Sequence, residues 1–151
     1  MTSEVATGGC QCGRIRYSVA IEDDDTYLCH CRMCERAGGG VSLAFKNVAL
    51  AAVTWTTREP DEYRSSPIAQ RGFRRECGTP LTFSFSDDEA TDMDLTVGSF
   101  DEPGRFRPTH HFGMESRHEA WLDTTGLPGI RSEDNASTRD RWMKTVGKLP
   151  D

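Results

Sequence analysis

A chain of 151 residues, 36% hydrophobic and 28% charged, is long enough for one domain with one sizeable core. Its formal net charge of -6 argues against nucleic acid as the main partner, because neutralising phosphates requires a basic surface. No apolar run is as long as a bilayer requires, and none follows the N-terminus as a signal peptide would. We therefore expect a cytoplasmic protein with neither a membrane nor a nucleic-acid partner, and homo-oligomerisation is left open. In that reducing compartment, six cysteines are expected to bind metal or do chemistry rather than form disulfides.

The predicted elements, taken in chain order, are mostly short strands. The polar residues 1–7 are expected to form a flexible tail. Apolar and polar residues alternate over 14–21, which predicts a half-buried strand. Further strand candidates, rich in aromatic or β-branched residues, are 27–31, 41–45, 51–56, 72–75, 81–85 and 93–97. This spacing predicts a mainly β fold of antiparallel strands with little helix.

Two short helical segments are predicted among these strands. One helical turn is expected at 35–37, before the run of three glycines. A marginal helix is expected at 134–146, with Trp142, Met143 and Val146 facing inward. We predict one metal-binding domain over residues 8–130, followed by a C-terminal extension, 131–151, that packs on it.

Cys29, Cys31 and Cys34 form the strongest motif. If residues 29–31 are extended, Cys29 and Cys31 point to the same side, because strand side chains repeat every two positions. Cys34 follows after the two-residue spacer that lets two thiolates bind one ion. Three thiolates repel one another unless a cation lies between them, and Zn²⁺ suits soft sulfur ligands in tetrahedral geometry. We predict zinc here, with a fourth position open to water or substrate; the alternative is three unrelated cysteines or a redox pair. His30 would project to the opposite side and is expected to be a packed or surface residue.

Cys10, Cys12 and Cys77 predict a second metal site. Cys10 and Cys12 also point to one side if extended, and the glycines around them permit close backbone approach. Cys77 begins a Cys-Gly-Thr-Pro turn, a common setting for a zinc-ribbon ligand. A closed structural site needs four ligands, and only three are visible in the sequence.

Three segments together resemble the glutathione-dependent formaldehyde-activating enzyme family, which also includes centromere protein V. They are Gly-Cys-Gln-Cys-Gly-Arg-Ile-Arg-Tyr at 9–17, Cys-His-Cys-Arg-Met-Cys at 29–34, and the stretch 73–81 around Cys77. The stretches 108–111, 121–123 and 126–128 are similar to the family's more variable closing segment. The resemblance implies a β-tent fold with a catalytic zinc at Cys29, Cys31 and Cys34. It implies a structural zinc at Cys10, Cys12, Cys77 and the residue three positions before Cys77.

That last position is Arg74 here, where the family pattern has a cysteine. A guanidinium stays protonated and has no lone pair to give to zinc. Three outcomes are open: zinc with water as the fourth ligand, a ligand such as histidine from elsewhere, or three packed thiols without metal. We expect zinc to be retained, because losing one of four ligands weakens a thiolate site without necessarily abolishing it.

The resemblance implies a carbon–sulfur lyase that forms or breaks S-(hydroxymethyl)glutathione, with glutathione and formaldehyde as its small partners. An open zinc suits this chemistry, because it can deprotonate a bound thiol or polarise an aldehyde oxygen. Zinc with three thiolates is already negative, so glutathione needs cations nearby, and Arg71, Arg74 and Arg75 are candidates. His110 and His111 are either proton carriers or ordinary loop histidines.

The alternative function is a non-catalytic zinc-binding module that recognises a protein or nucleic acid. The complete triplet of Cys29, Cys31 and Cys34 favours the enzyme, and the acidic balance disfavours nucleic-acid binding. A chaperone-like zinc reservoir or a nucleotide-exchange relative rests on fold analogy alone.

Overall fold

The structure is a computed structural model that describes residues 3–150. It divides into two units, which meet in the chain between His118 and Glu119 and are described separately below. The predicted domain limits, 8–130 and 131–151, stay a prediction.

The first unit contains two β-sheets and one α-helix. The strands are β1 (Glu4–Gly9), β2 (Arg16–Ile21), β3 (Tyr27–Cys29), β4 (Leu43–Ala49), β5 (Val53–Trp55), β6 (Asp61–Ser66), β7 (Ala69–Phe73), β8 (Pro80–Phe85), β9 (Asp92–Thr96) and β10 (His110–Phe112), and the helix is α1 (Arg32–Gly38). The smaller sheet has the order β1-β2-β5, and the larger has the order β10-β3-β4-β9-β8-β7-β6. All pairings are antiparallel except that of β10 with β3. The mainly β prediction is confirmed.

The main core lies on the inner faces of these sheets. In β2, Tyr17, Val19 and Ile21 are buried at every second position, as the alternation predicts. They pack with Leu95 of β9 and with other buried side chains, which are Val48, Val97, Phe100 and Phe106. The Tyr17 hydroxyl is buried as well and pairs with the Ser99 hydroxyl at 2.8 Å.

Several boundaries differ from the predictions for physical reasons. Residues 4–7, predicted as part of a loose tail, belong to β1, an edge strand whose side chains are largely exposed. The strand predicted at 27–31 ends at Cys29, because the chain turns there into α1. That helix is longer than the single turn predicted at 35–37. It ends where Gly39 adopts a φ of 75°, a left-handed conformation that glycine takes at little cost.

The second unit contains two helices, α2 (Glu119–Leu122) and α3 (Ala136–Thr145). Asn135 caps α3, since its side-chain oxygen accepts a hydrogen bond from Thr138 N at 2.9 Å. The prediction that Trp142, Met143 and Val146 face inward is wrong, because all three are exposed. Most side chains of α3 itself are polar, so the helix has no broad apolar stripe to bury. No helix among residues 3–150 is both long and apolar enough to cross a membrane.

Candidate metal centres

The six cysteines are free and form two groups of three. We name Cys29, Cys31 and Cys34 the helix cluster, and Cys10, Cys12 and Cys77 the loop cluster. In each cluster the three sulfur atoms all lie within 4.8 Å of one another. Zn–S bonds are about 2.3 Å long, so this spacing suits three thiolates that share one ion. Each cluster is therefore able to hold a metal ion. No other Cys, His, Asp or Glu of residues 3–150 joins either group.

The helix cluster lies where the end of β3 connects to the start of α1. Cys29 is the last residue of β3, and its Cα pairs with that of Leu43 in β4. Cys31 is the N-cap of α1, and its sulfur accepts a hydrogen bond from Cys34 N at 3.3 Å. The regular strand thus ends at Cys29, but Cys31 keeps an extended backbone with a φ of -61° and a ψ of 149°, and the capping turn then brings Cys31 and Cys34 together.

A buried arginine lies against the helix cluster. Arg71 of β7 donates from Nη2 to the sulfur of Cys34 at 3.2 Å, and its guanidinium lies 5.0 Å from the ring centre of Phe83. Hydrogen bonding from Cys29, supported by Arg71 and opposed by desolvation, lowers the pKa of Cys34 to about 5. The hydrogen bond between the two cysteine side chains, followed by burial, raises the pKa of Cys29.

A histidine pair adjoins the same cluster. His30 is fully buried, as the packed alternative predicted, and its Nε2 lies 2.8 Å from Nδ1 of His111. Burial, followed by the nearby His111, lowers the pKa of His30. His110 points elsewhere, with its Nδ1 3.6 Å from a carboxylate oxygen of Asp25.

The segment 110–118 packs against the helix cluster at several points. His30 N donates to Phe112 O at 2.9 Å, which continues the pairing of β10 with β3. His118 Nε2 lies 2.9 Å from Oε1 of Glu35, a buried residue of α1 whose other oxygen pairs with Arg32. The sequence predictions missed Glu35 and His118. The spacing of Arg32 and Glu35 on a helix was the one available signal, whereas nothing in the sequence links Glu35 to His118.

Gly113 approaches Cys31 so closely that a side chain should disturb the site. Its φ is 71°, and a Cβ added there would lie 2.8 Å from Cys31 N. We expect Gly113→Ala to lower the free energy of unfolding by about 1–2 kcal/mol from the left-handed conformation alone, and to weaken zinc binding at the helix cluster. Urea unfolding and zinc titration measure these effects. Gly98→Ala is the control, because a Cβ at Gly98 meets no atom within 4 Å. Equal unfolding midpoints for the two variants would contradict the prediction.

The loop cluster joins two turns. In the β1–β2 connection, Gly13 N donates to Cys10 O at 3.0 Å, and Ile15 N donates to the sulfur of Cys10 at 3.3 Å. The β7–β8 connection carries Cys77. The two turns are linked by Gln11 N, which donates to Thr79 Oγ1 at 3.0 Å. Tight turns thus replace the extended geometry predicted for residues 10–12, and a contact across the fold brings the three sulfurs together.

The sulfurs of the loop cluster differ in environment. Cys10 is buried, Cys12 is exposed and Cys77 is half-buried. The sulfurs of Cys10 and Cys12 lie 3.4 Å apart, and that of Cys77 lies 3.2 Å from Thr79 Oγ1. Desolvation opposes ionisation of Cys77, but hydrogen bonds from Thr79 and Cys12 outweigh it and lower the Cys77 pKa to about 6.

Arg74, where the sequence resemblance predicts a fourth cysteine, is 3% exposed and is held by carboxylates. Its Nε lies 2.9 Å from Glu76, and its Nη1 lies 3.8 Å from Asp61. Both nitrogens lack well-aligned hydrogen bonds, so these contacts are ion pairs only. Arg75 also pairs with Asp61, through Nε at 3.5 Å. Of the three arginines considered for substrate binding, Arg71 is therefore the one that contacts the helix cluster.

A cavity of about 120 Å³ lies beside Arg71. Its walls include Ala37 of α1, Leu43 of β4 and Tyr63 of β6. Pockets that enclose drug-sized ligands measure roughly 300–1,000 Å³. This cavity has room for a small aldehyde or for part of a thiol, but not for a whole tripeptide.

Three comparisons relate the chain to known proteins. The family model described as glutathione-dependent formaldehyde-activating enzyme matches residues 5–116. An uncharacterized lyase of Schizosaccharomyces pombe is 30% identical over 79 residues, which are 52% of this chain and 57% of that relative's length. The match thus spans little more than half of the curated relative. A crystal structure of a Rhodobacter sphaeroides protein aligns with a TM-score of 0.56 and 18% identity, over 70% of this chain and 99% of that one. This last likeness concerns the fold alone.

Proposed function

Because the chain belongs to the glutathione-dependent formaldehyde-activating enzyme family, we propose that it is a zinc-dependent carbon–sulfur lyase. Its reaction joins formaldehyde to a thiol such as glutathione, giving S-(hydroxymethyl)glutathione, or runs in reverse. In the forward direction a carbon–sulfur bond forms, and the thiol proton passes to the aldehyde oxygen. The observation that carries the proposal is the convergence of the sulfurs of Cys29, Cys31 and Cys34.

The donor set supports zinc at the helix cluster. Thiolate sulfur is a soft ligand that suits Zn²⁺, an ion without redox chemistry. A tetrahedral ion held by three protein ligands keeps one position open. When bound, zinc supplies a Lewis acid for the thiol sulfur or the aldehyde oxygen. The chain's own residues hold the ion and limit the negative charge around it, since Arg71 donates to Cys34 from a buried position.

Glutathione also carries carboxylates, which need cations near the site. We propose Arg32 and Arg36 for this role, because both are exposed on α1, the helix that supplies Cys34. The adjoining cavity would take the aldehyde. Free cysteines throughout the chain support a reducing compartment such as the cytoplasm as the place of action.

Exchange of carbon-13-labelled formaldehyde with its glutathione adduct tests the proposal. Exchange NMR would measure interconversion of formaldehyde hydrate and S-(hydroxymethyl)glutathione with zinc-loaded protein and with buffer alone, since the reaction also runs unaided. We expect the protein to accelerate exchange, and a panel of other small thiols would define its preference. No acceleration with any thiol would favour the non-catalytic binding module instead.

Arg71 gives a second test of the same site. We expect Arg71→Met to weaken zinc binding at the helix cluster by about 10–100-fold, because it removes the hydrogen bond to Cys34. Zinc titration against a chelating indicator measures this. Arg64→Met is the matched control, since Arg64 is exposed on neighbouring β6 and contacts Pro67 O. Equal zinc affinity in the two variants would show that Arg71 has no influence on the ion.

A further inference from the structure

We propose that the loop cluster binds one thiophilic divalent ion, such as Zn²⁺, through three sulfurs alone. Because Cys12, one of its three ligand residues, is exposed, this ion exchanges at least about tenfold faster than the ion at the helix cluster. The loop cluster would then be a labile metal site, distinct from the reaction centre. The inference does not depend on lyase activity.

The two clusters differ first in how deeply their cysteines are buried. The helix cluster has two buried cysteines and one half-buried cysteine. The loop cluster has one of each class, and the sulfur of Cys12 belongs to an exposed residue. A chelator therefore meets one exposed ligand residue at the loop cluster, whereas the helix cluster has none. In the helix cluster, β10 and Gly113 pack against Cys29 and Cys31.

The clusters differ also in their charged neighbours. A buried arginine donates to a sulfur of the helix cluster. In the loop cluster the partners of the sulfurs are uncharged backbone N–H, hydroxyl and thiol groups, among them Ile15 N, the Thr79 hydroxyl and Cys12. Hydrogen bonds from ionised groups are roughly twice as strong as those from neutral ones, so the loop cluster receives less support for its negative charge.

Arg74 shows why the loop cluster lacks a fourth ligand. Arg74 and Cys77 have the same spacing as Cys31 and Cys34, the spacing at which two thiolates bind one ion. Gly78 N donates to Arg74 O, and Arg74 N donates to Thr79 O at 3.1 Å, so both residues belong to one closed turn. A guanidinium cannot bind a cation, and this one is paired with Glu76 and Asp61. The turn is thus suited to two ligands but carries one.

Release of zinc to excess pyridylazoresorcinol, followed by absorbance, tests the inference on the loaded protein. We expect two phases of one equivalent each, with rates at least about tenfold apart. Cys12→Ser should remove the fast phase, and Cys31→Ser should remove the slow phase. Arg74→Cys should convert the fast phase into a slow one, because it supplies a fourth thiolate. Arg74→Met is the matched control, since it also removes the guanidinium and should leave the fast phase in place.

Three results from the unaltered protein and the two serine variants would overturn the inference. They are a single phase for both ions, a fast phase that Cys31→Ser removes instead, and a zinc content that Cys12→Ser leaves unchanged. Release from Arg74→Cys as fast as from Arg74→Met would also contradict it. If the Arg74 variants fail to fold, as circular dichroism would show, Cys12→Ser still decides the matter because it changes an exposed side chain. The formaldehyde exchange assay reports on the helix cluster, so failure of the proposed function is seen separately.

Discussion

Cys31→Ser is expected to reduce formaldehyde–thiol exchange by at least about 100-fold and to remove one zinc per chain. Lewis-acid stabilisation is worth several kcal/mol, and each 1.36 kcal/mol or so is a factor of ten in rate. The fold should survive, because Cys31 acts as the N-cap of α1 and serine is a strongly preferred N-cap residue. The substitution therefore separates metal binding from helix capping.

Exchange NMR, zinc content and circular dichroism together measure the outcome. Met33→Ala is the matched control, since Met33 is exposed on the same turn of α1 and alanine favours helix. We expect that control to keep both its zinc and its activity. Full activity in Cys31→Ser would refute the catalytic assignment, and wholesale unfolding would show that the helix cluster is the structural site.

Leu95→Ala should cause the largest loss of stability, about 2–5 kcal/mol. Leu95 is fully buried in β9, where it lies opposite Lys46 of β4 on one side and Thr82 of β8 on the other. A cavity there would be surrounded by paired strands that cannot easily close around it. Truncation would also remove apolar contacts from the main core.

Urea unfolding of the zinc-loaded protein, followed by tryptophan fluorescence, measures this loss. Ile68→Ala is the control, because Ile68 is 63% exposed and its truncation should change stability by no more than about 0.5 kcal/mol. Similar midpoints for the two variants would mean that the core around Leu95 relaxes to fill the space.

The sequence predicted β2 well because one face of this strand is buried in the core and the other is only half-buried. In β2 the alternation of buried and half-buried residues is visible directly in the residue types. By contrast, β1, β6 and β10 carry mostly exposed or half-buried side chains and show no apolar alternation. Their backbone pairing with a neighbouring strand defines them, and a single sequence does not contain that information.

In the candidate sites, the sequence predicted the groups of residues that lie close together along the chain, but not the contacts between residues that lie far apart along it. Spacing alone grouped Cys29 with Cys31 and Cys34, because the three lie within one short segment. It did not reveal that Arg71 donates to Cys34 or that His118 reaches Glu35, since both contacts depend on the tertiary fold. Cys77 was grouped with Cys10 through the family resemblance and the turn motif.

The parallel pairing of β10 with β3 has a consequence for the order in which the helix cluster is assembled. Its three cysteines span six residues, so closing that loop costs little conformational entropy. The strand beside them comes from a stretch so distant that His30 and His111 are 81 positions apart. During synthesis the turn that carries these cysteines therefore leaves the ribosome well before β10, so the cysteines are accessible to an ion before that strand packs beside them.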